Sequence, residues 1–299
     1  MTEAERVTRA LGGDWRHGSG LAPCPICQPE GRRDQRALSL SDGGGRLLVH
    51  CHKSGCAVLN ELRNLNLIEG RGLPSAAPDP AEAERQRAEV RRKEVQRLKT
   101  AHDLFSAGVN CEGTPAQTYL EARGIHGLRF AKLRATLRFH PAALHTPSGV
   151  HLPAMLAQIR GPKGEALGIH RTYLRPDGSG KAEVTPAKMM LGPSAGGAVR
   201  IGPNGPVIAL AEGIETALSI SRASRLTVWA TLSTSGLKGL ILPPLPVAEV
   251  VIIAADHDEA GLAAAEVTAG RLEAEGRAVS VIYPPKPGAD FNDVLRGDA

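Results

Sequence analysis

The chain has 299 residues, which is enough for two domains of roughly 100–200 residues each. No apolar run approaches the roughly 18 residues of a membrane span, and the first residues lack a signal-peptide pattern, so we expect a cytoplasmic protein. Lys and Arg total 36 against 31 Asp and Glu, giving a net charge of +5 that favours a polyanionic partner. Aromatic residues make up only 3%, which argues against base stacking as the main contact with nucleic acid.

Four of the five cysteines form two close pairs within residues 1–70. Cys24 and Cys27 enclose Pro-Ile, and Cys51 lies five residues before Cys56. A close cysteine pair of this kind is called a zinc knuckle. Two knuckles in a chain without a secretion signal favour a tetrahedral zinc site over disulfides.

The segment between the two knuckles, R-A-L-S-L-S-D-G-G-G-R-L-L-V-H-C, predicts a β-hairpin that turns at Gly43–Gly45. Two knuckles joined by a hairpin make a zinc ribbon. Because His50 and His52 flank the third cysteine, either could replace one thiolate.

The middle of the chain divides into a linker with a charged helix (71–104) and a small mixed α+β region (105–205). Three prolines within 71–80 mark a flexible boundary, and the Ala-, Glu- and Arg-rich residues that follow predict a solvated helix. Short strand-like runs within 105–205 bear many basic residues. Arg171 and Lys188, which have apolar neighbours, are the candidates for binding a nucleotide or DNA.

Residues 206–299 alternate apolar runs with helical patterns, which predicts a compact parallel α/β domain. Strands are expected at 206–211, 226–232, 249–255 and 278–283, with helices near 214–224 and 259–275.

Acidic residues follow two of these predicted strands. Glu212 comes after the first strand, and Asp256 and Asp258 come after the third. Ligands of parallel sheets bind at the carboxyl ends of the strands, so the three carboxylates should converge there with Mg²⁺. Asp290, beyond the last strand, could join them. In the alternative, Asp256 and Asp258 are helix N-caps.

The motifs E-G-I-E-T-A-L-S and A-A-D-H-D-E-A-G resemble the Toprim domain of bacterial primases, topoisomerases and some nucleases. A zinc ribbon, a middle region and a Toprim domain follow one another as in DnaG-like primases, and the stretch from C-P-I-C to D-F-N-D-V-L is most similar to phage and mobile-element types. In one respect the chain differs: many primases have E-G-x-x-D, whereas here Glu215 precedes Thr216.

The resemblance implies a DNA primase that makes short RNA primers from NTPs on a single-stranded DNA template. On that basis Glu212, Asp256 and Asp258 are catalytic, these three and Asp290 bind Mg²⁺ or Mn²⁺, and the four paired cysteines form a zinc module that reads the template. A helicase partner would be a separate protein. Two alternatives stay open: a Toprim-type nuclease, and a non-catalytic protein that binds single-stranded DNA.

Overall fold

The computed structural model describes residues 1–16, 18–31, 36–43, 46–68 and 80–298. The chain divides into two compact units, Met1–Ala83 and Glu84–Ala299. Most of the predicted linker (71–79) and two residues of the predicted hairpin turn, Gly44 and Gly45, lie outside the described residues. Within the described part of the chain, no helix is both long enough and apolar enough to cross a membrane.

The first unit is a four-stranded antiparallel sheet flanked by two short helices. Its strand order is β1-β2-β3-β4, and the predicted hairpin is the pair β3 and β4, in which Leu38 lies opposite Cys51. The elements are α1 (Glu3–Ala10), β1 (Asp14–Arg16), β2 (Ser19–Ala22), β3 (Leu38–Gly43), β4 (Arg46–Cys51) and α2 (Val58–Asn64). Small and aliphatic side chains such as Val7, Leu40 and Leu62 pack with Cys24 and Cys51 into a core of its own.

The second unit begins within the charged helix expected from the sequence, and the region 105–205, where short strand-like runs were predicted, contains the strands β5 to β9. Its first elements are α3 (Pro80–Ala107), α4 (Pro115–Ala122), α5 (Phe130–Leu133), β5 (Leu137–His145), β6 (Val150–Arg160), β7 (Ala166–Tyr173), β8 (Lys188–Leu191) and β9 (Ala198–Ile201). The remaining elements are β10 (Val207–Ala211), α6 (Ile214–Ser224), β11 (Val228–Ala230), α7 (Thr234–Gly239), β12 (Val250–Ala254), α8 (Glu259–Ala274), β13 (Ala278–Ile282) and α9 (Phe291–Arg296).

One nine-stranded sheet runs through the whole second unit. Its order is β13-β12-β10-β11-β9-β6-β7-β8, and β5 pairs with β6. Strands β11, β10, β12 and β13 are parallel, whereas β9 joins β11 and β6 in antiparallel fashion. The predicted fold class, a mixed α/β chain with a parallel C-terminal sheet, is confirmed. The predicted middle region and C-terminal domain therefore share one sheet, which the sequence did not indicate.

Helices cover both faces of β10, β11 and β12, and this explains why these central strands are entirely apolar, whereas β13 at the edge of the sheet is largely exposed. Along β10, Ala209 and Ala211 pack on the face that holds α6, and Ile208 and Leu210 pack on the face that holds α7 and α8. Alternation of side chains thus gives β10 two apolar faces.

Trp229 on β11 is the largest fully buried side chain of the α7/α8 face, and the guanidinium carbon of Arg200 on β9 lies 3.9 Å from its ring centre. Replacing Trp229 by Ala removes both the apolar contacts and this cation–π contact. We expect the free energy of unfolding to fall by about 3–5 kcal/mol in chemical denaturation. The matched change Tyr283→Ala, at a half-exposed ring, should cost much less. Equal losses would contradict this account of the core.

Candidate functional site

The sheet register brings Glu212 and Asp256 to one edge. Strands β10 and β12 are parallel neighbours, with Ala211 opposite Ala254. Glu212 is the first residue after β10, and Asp256 is the second after β12, so both carboxylates lie at the carboxyl end of the sheet. The helices that connect parallel strands let each strand run in the same direction as its neighbour. The ends of β10 and β12 therefore lie side by side, and two residues 44 positions apart in the chain meet here.

Asp290 joins Glu212 and Asp256 in lining a cavity of about 280 Å³. Three cationic side chains, Arg123, Lys181 and Lys188, line the same cavity. The sequence had singled out Lys188; Arg123 and Lys181 come from separate segments and had no local signal that linked them to the acids. The cavity therefore brings carboxylates and cations to one place, as a site for a metal-bound polyphosphate requires.

Burial and neighbouring acids raise the pKa of two of the carboxylates. Burial, together with the charges of Asp256 and Asp258, raises the pKa of Glu212 to about 7. Burial, followed by the charges of Asp290, Asp258 and Asp293, raises the pKa of Asp256 to about 6, although Lys188 opposes this shift. A site that resists the ionisation of its own carboxylates is one that a cation stabilises.

Two of the acids also cap helices. Asp258 is the N-cap of α8, and its Oδ1 accepts a hydrogen bond from the backbone N–H of Gly261 at 2.7 Å. Asp290 is the N-cap of α9 and forms a capping box with Asp293. The N-cap interpretation thus applies to Asp258 and Asp290, whereas Asp256 lies before the cap and its Oδ1 is buried without a hydrogen-bond partner.

The donor set fits a divalent cation. The unpartnered Oδ1 of Asp256 is a hard oxygen ligand that the protein leaves unsatisfied, and a buried polar atom of this kind is costly without a partner. In the described part of the chain, only the four paired cysteines bring three or more ligand atoms within 4.8 Å of one another. The described carboxylates at the sheet edge, Glu212, Asp256 and Asp290, line one cavity but do not form such a group.

Glu215 lies one residue before Thr216, the position at which the sequence departs from E-G-x-x-D. Its carboxylate is buried, accepts a hydrogen bond from the Tyr119 hydroxyl at 2.7 Å, and forms an ion pair with Lys188 Nζ at 2.9 Å. Burial opposes its charge, but Lys188 and the Tyr119 hydroxyl outweigh burial and lower its pKa to about 2. Thr216, one residue later, donates its hydroxyl to Asp290 Oδ2 at 3.4 Å.

The two basic residues singled out from the sequence lie in different surroundings. Lys188 lines the acidic cavity, with its side chain about one-third exposed. Arg171 is buried, donates to the Leu144 carbonyl at 3.1 Å, and lies over the Tyr173 ring. Arg171 does not line the cavity that holds Glu212 and Asp256. We therefore leave it out of the proposed site.

The four paired cysteines of the first unit form a second site. Their sulfur atoms all lie within 4.8 Å of one another, and the cluster contains neither His50 nor His52. Cys27 Sγ is 3.6 Å from Cys51 Sγ. Burial opposes ionisation of Cys51, but the backbone around Lys53, Ser54 and Cys56 favours its thiolate and lowers its pKa to about 6. This four-cysteine cluster fits a structural zinc ion.

Two protein-family models match parts of the second unit. Residues 207–298 match the family described as "Toprim domain". This part of the chain is a Toprim domain. Residues 95–201 match a family described as a domain of unknown function, DUF7146. The Toprim resemblance of the sequence is thus confirmed, and the acidic cavity lies at the carboxyl edge of the Toprim sheet. No curated protein sequence matches the chain.

Several solved primase structures are similar to the chain at low sequence identity. The Aquifex aeolicus primase, with its zinc-binding and RNA polymerase domains, is 14% identical, covers 99% of this chain and 80% of its own, and has a TM-score of 0.46. A DNA primase domain from Pseudomonas aeruginosa is 16% identical over 68% of this chain and 75% of its own, at 0.45. The primase fragment of the bacteriophage T7 primase-helicase is 16% identical over 93% and 95%, at 0.38.

Carboxylate crowding in the Toprim site predicts a specific dependence of stability on pH. The folded-state pKa of Asp256 is raised to about 6, above the roughly 3.9 of an unfolded chain. The wild type therefore loses stability as the pH rises from about 4 through 6. At pH 8 in EDTA we expect Asp256→Asn to have a higher free energy of unfolding than the wild type, with the difference vanishing near pH 4.

Chemical denaturation across this pH range, with and without Mg²⁺, checks the prediction. Mg²⁺ should stabilise the wild type more than the variant. The control Glu266→Gln, at an exposed position on α8, should show neither effect. A lower stability of Asp256→Asn at every pH would mean that the carboxylate makes a favourable contact in the protein itself.

For the cysteine cluster, we expect the purified chain to contain zinc and Cys27→Ser to lose it. The first unit has a small core, so removal of the ion should unfold that unit and leave the second unit folded. Metal analysis and limited proteolysis measure the two effects. Cys111→Ser is the matched control, because Cys111 is buried in the core of the second unit. Full zinc content in Cys27→Ser would contradict a four-thiolate site.

Proposed function

We propose that the chain is a DNA primase that joins nucleoside triphosphates into short RNA primers on single-stranded DNA. The observation that carries the proposal is the cavity at the carboxyl edge of the Toprim sheet, where Glu212, Asp256 and Asp290 face Arg123, Lys181 and Lys188. Carboxylates hold divalent cations, and cations hold phosphates, so this cavity has the two sets of groups that nucleotidyl transfer needs.

In the proposed reaction, the 3′-hydroxyl oxygen of the growing primer forms a bond to the α-phosphorus of the incoming nucleotide. The bond from that phosphorus to the bridging oxygen breaks, and pyrophosphate leaves. Mg²⁺ or Mn²⁺, held by Glu212, Asp256, Asp258 and Asp290, would supply positive charge to the hydroxyl and the phosphates. Glu212 is also the candidate to take the proton from the hydroxyl oxygen.

Lys188 is proposed to bind the triphosphate, with Arg123 and Lys181 beside it. Its ammonium group keeps its position through the ion pair with Glu215, whose second oxygen accepts from Tyr119. Because Lys188 is about one-third exposed, it retains N–H groups for a ligand while one contacts Glu215. Glu215 thus has a role different from that of a metal-binding acid.

Two further parts of the proposal concern partners. The four-cysteine unit is proposed to hold zinc and to contact the template strand, as its place before a Toprim domain suggests. A nuclease would have no need of such a unit, which is why we favour primer synthesis over cleavage. We propose a replicative helicase as a further partner.

The decisive assay supplies a mixed-sequence single-stranded DNA template, labelled NTPs and Mg²⁺. We expect short RNA products from the wild type, and a loss of about 10²–10⁴-fold in Glu212→Gln and Asp256→Asn. These two variants keep side-chain volume, and neither residue caps a helix. Glu266→Gln should retain full activity.

Three results would count against the proposal. Template cleavage by the wild type that disappears in both variants would make the protein a nuclease. A bound but unaltered template, with no product from any variant, would make it a binding protein. Undiminished product from both variants would place the chemistry away from the Toprim edge.

A further inference from the structure

A second and larger cavity lies at the opposite edge of the Toprim strands. Its volume is about 720 Å³, within the roughly 300–1,000 Å³ that small-molecule sites occupy. Leu226 and Thr227 line it and directly precede β11, whereas Glu212 directly follows the parallel strand β10. The two cavities are therefore separate sites. We call this second cavity the basic pocket.

Four cationic side chains line the basic pocket: Arg129, Lys132, Arg222 and Arg225. No Asp or Glu is among the residues that line it. None of the four side chains makes an ion pair or hydrogen bond with a described residue, which distinguishes them from Lys188 in the acidic cavity. Four cations converge here without a counter-charge from the protein, and an anion would relieve their repulsion.

Helix dipoles explain only part of this charge. Arg222 and Arg225 lie at the carboxyl end of α6, and Lys132 lies in the last turn of α5, where cations are favourable. A helix end has only about half an elementary charge, which two arginines exceed. Arg129 is the N-cap of α5, where a cation is unfavourable, so the dipole does not account for it.

The floor of the basic pocket is apolar. It consists of five aliphatic side chains: Ile201 at the end of β9, Leu218 on α6, Leu226 shortly before β11, Leu128 before α5 and Leu133 at the end of α5. Inorganic phosphate would contact only the cationic side chains and would leave the apolar floor exposed to water. A ligand with several phosphates and a flat organic body uses both features, because Arg binds phosphate oxygens in pairs and stacks on planar rings.

A free nucleotide fits these features better than a strand of DNA does. No Phe, Tyr or Trp lines the basic pocket, and stacking of successive bases on aromatic rings is the usual means of holding a single strand. We propose that the basic pocket binds a free nucleoside polyphosphate, with its phosphates on Arg129, Lys132, Arg222 and Arg225 and its nucleoside on the apolar floor.

The test measures equilibrium binding of ATP by the full chain in EDTA, which removes the divalent cations that the acidic cavity would use. The pocket variant is Arg222→Glu with Arg225→Glu. The matched control is Lys163→Glu with Lys238→Glu, which makes the same change in net charge at exposed positions outside the pocket. We expect ATP binding to weaken by about tenfold or more in the pocket variant and to stay unchanged in the control.

A second pair, Arg129→Gln with Lys132→Gln, tests the other side of the basic pocket and should weaken ATP binding as well. Thermal unfolding of each variant shows whether it is folded. Inorganic tripolyphosphate should bind more weakly than ATP, because it cannot use the apolar floor. Since the assay contains no template and no Mg²⁺, its outcome is independent of primer synthesis.

The proposal is overturned if ATP does not bind, if neither pocket variant weakens binding, or if the control weakens it equally. Tripolyphosphate that binds as tightly as ATP would show a site for anions without a nucleoside. A short single-stranded oligonucleotide that displaces ATP at equal nucleotide concentration would assign the basic pocket to a strand instead of a free nucleotide.

Discussion

The arrangement of the acidic cavity depends on one buried carboxylate, that of Glu215. It comes from the first helix of the Toprim domain, but both of its partners, Tyr119 and Lys188, come from the part of the chain before that domain. A buried charge without partners would be strongly destabilising, so the three side chains must stay together. Their contact fixes Lys188 beside the carboxylates at the sheet edge and joins two regions that separate family models describe.

A second set of contacts acts on the neighbouring cation. Asn292, buried on α9, donates its amide to the backbone carbonyl of Arg123 at 2.8 Å and to Ser219 Oγ at 3.0 Å. Asp290 caps the same helix, α9. This short helix therefore positions both an acid of the cavity, Asp290, and a cation of the cavity, Arg123. Contacts between elements that are distant in the chain thus hold the acids and the cations of the cavity beside one another.

The two edges of the Toprim sheet have opposite electrostatic character. Burial and neighbouring acids raise the pKa values of Glu212 and Asp256 at the carboxyl edge, whereas the charged residues that line the basic pocket at the other edge are all cationic. Both features follow from where charged residues fall relative to the parallel strands. Helix α6 links the edges: it begins just after Glu212 and ends at Arg225, the αL residue that closes it.

The sequence by itself determined the cysteine pairs, the strand–helix alternation of residues 206–299 and the acids that follow β10 and β12. These are local patterns: spacing of thiols, apolar runs and the direction of a parallel strand all act over a few residues. The sequence also drew attention to Glu215, but only because the chain differs from the E-G-x-x-D motif at the residue that follows it. Only the tertiary structure decided that Arg171 is buried against carbonyls, that Lys188 pairs with Glu215, and that Arg123 and Lys181 face the acids. Burial and ion pairing depend on residues far apart in the chain, and no local pattern encodes which distant partner a charged side chain will meet.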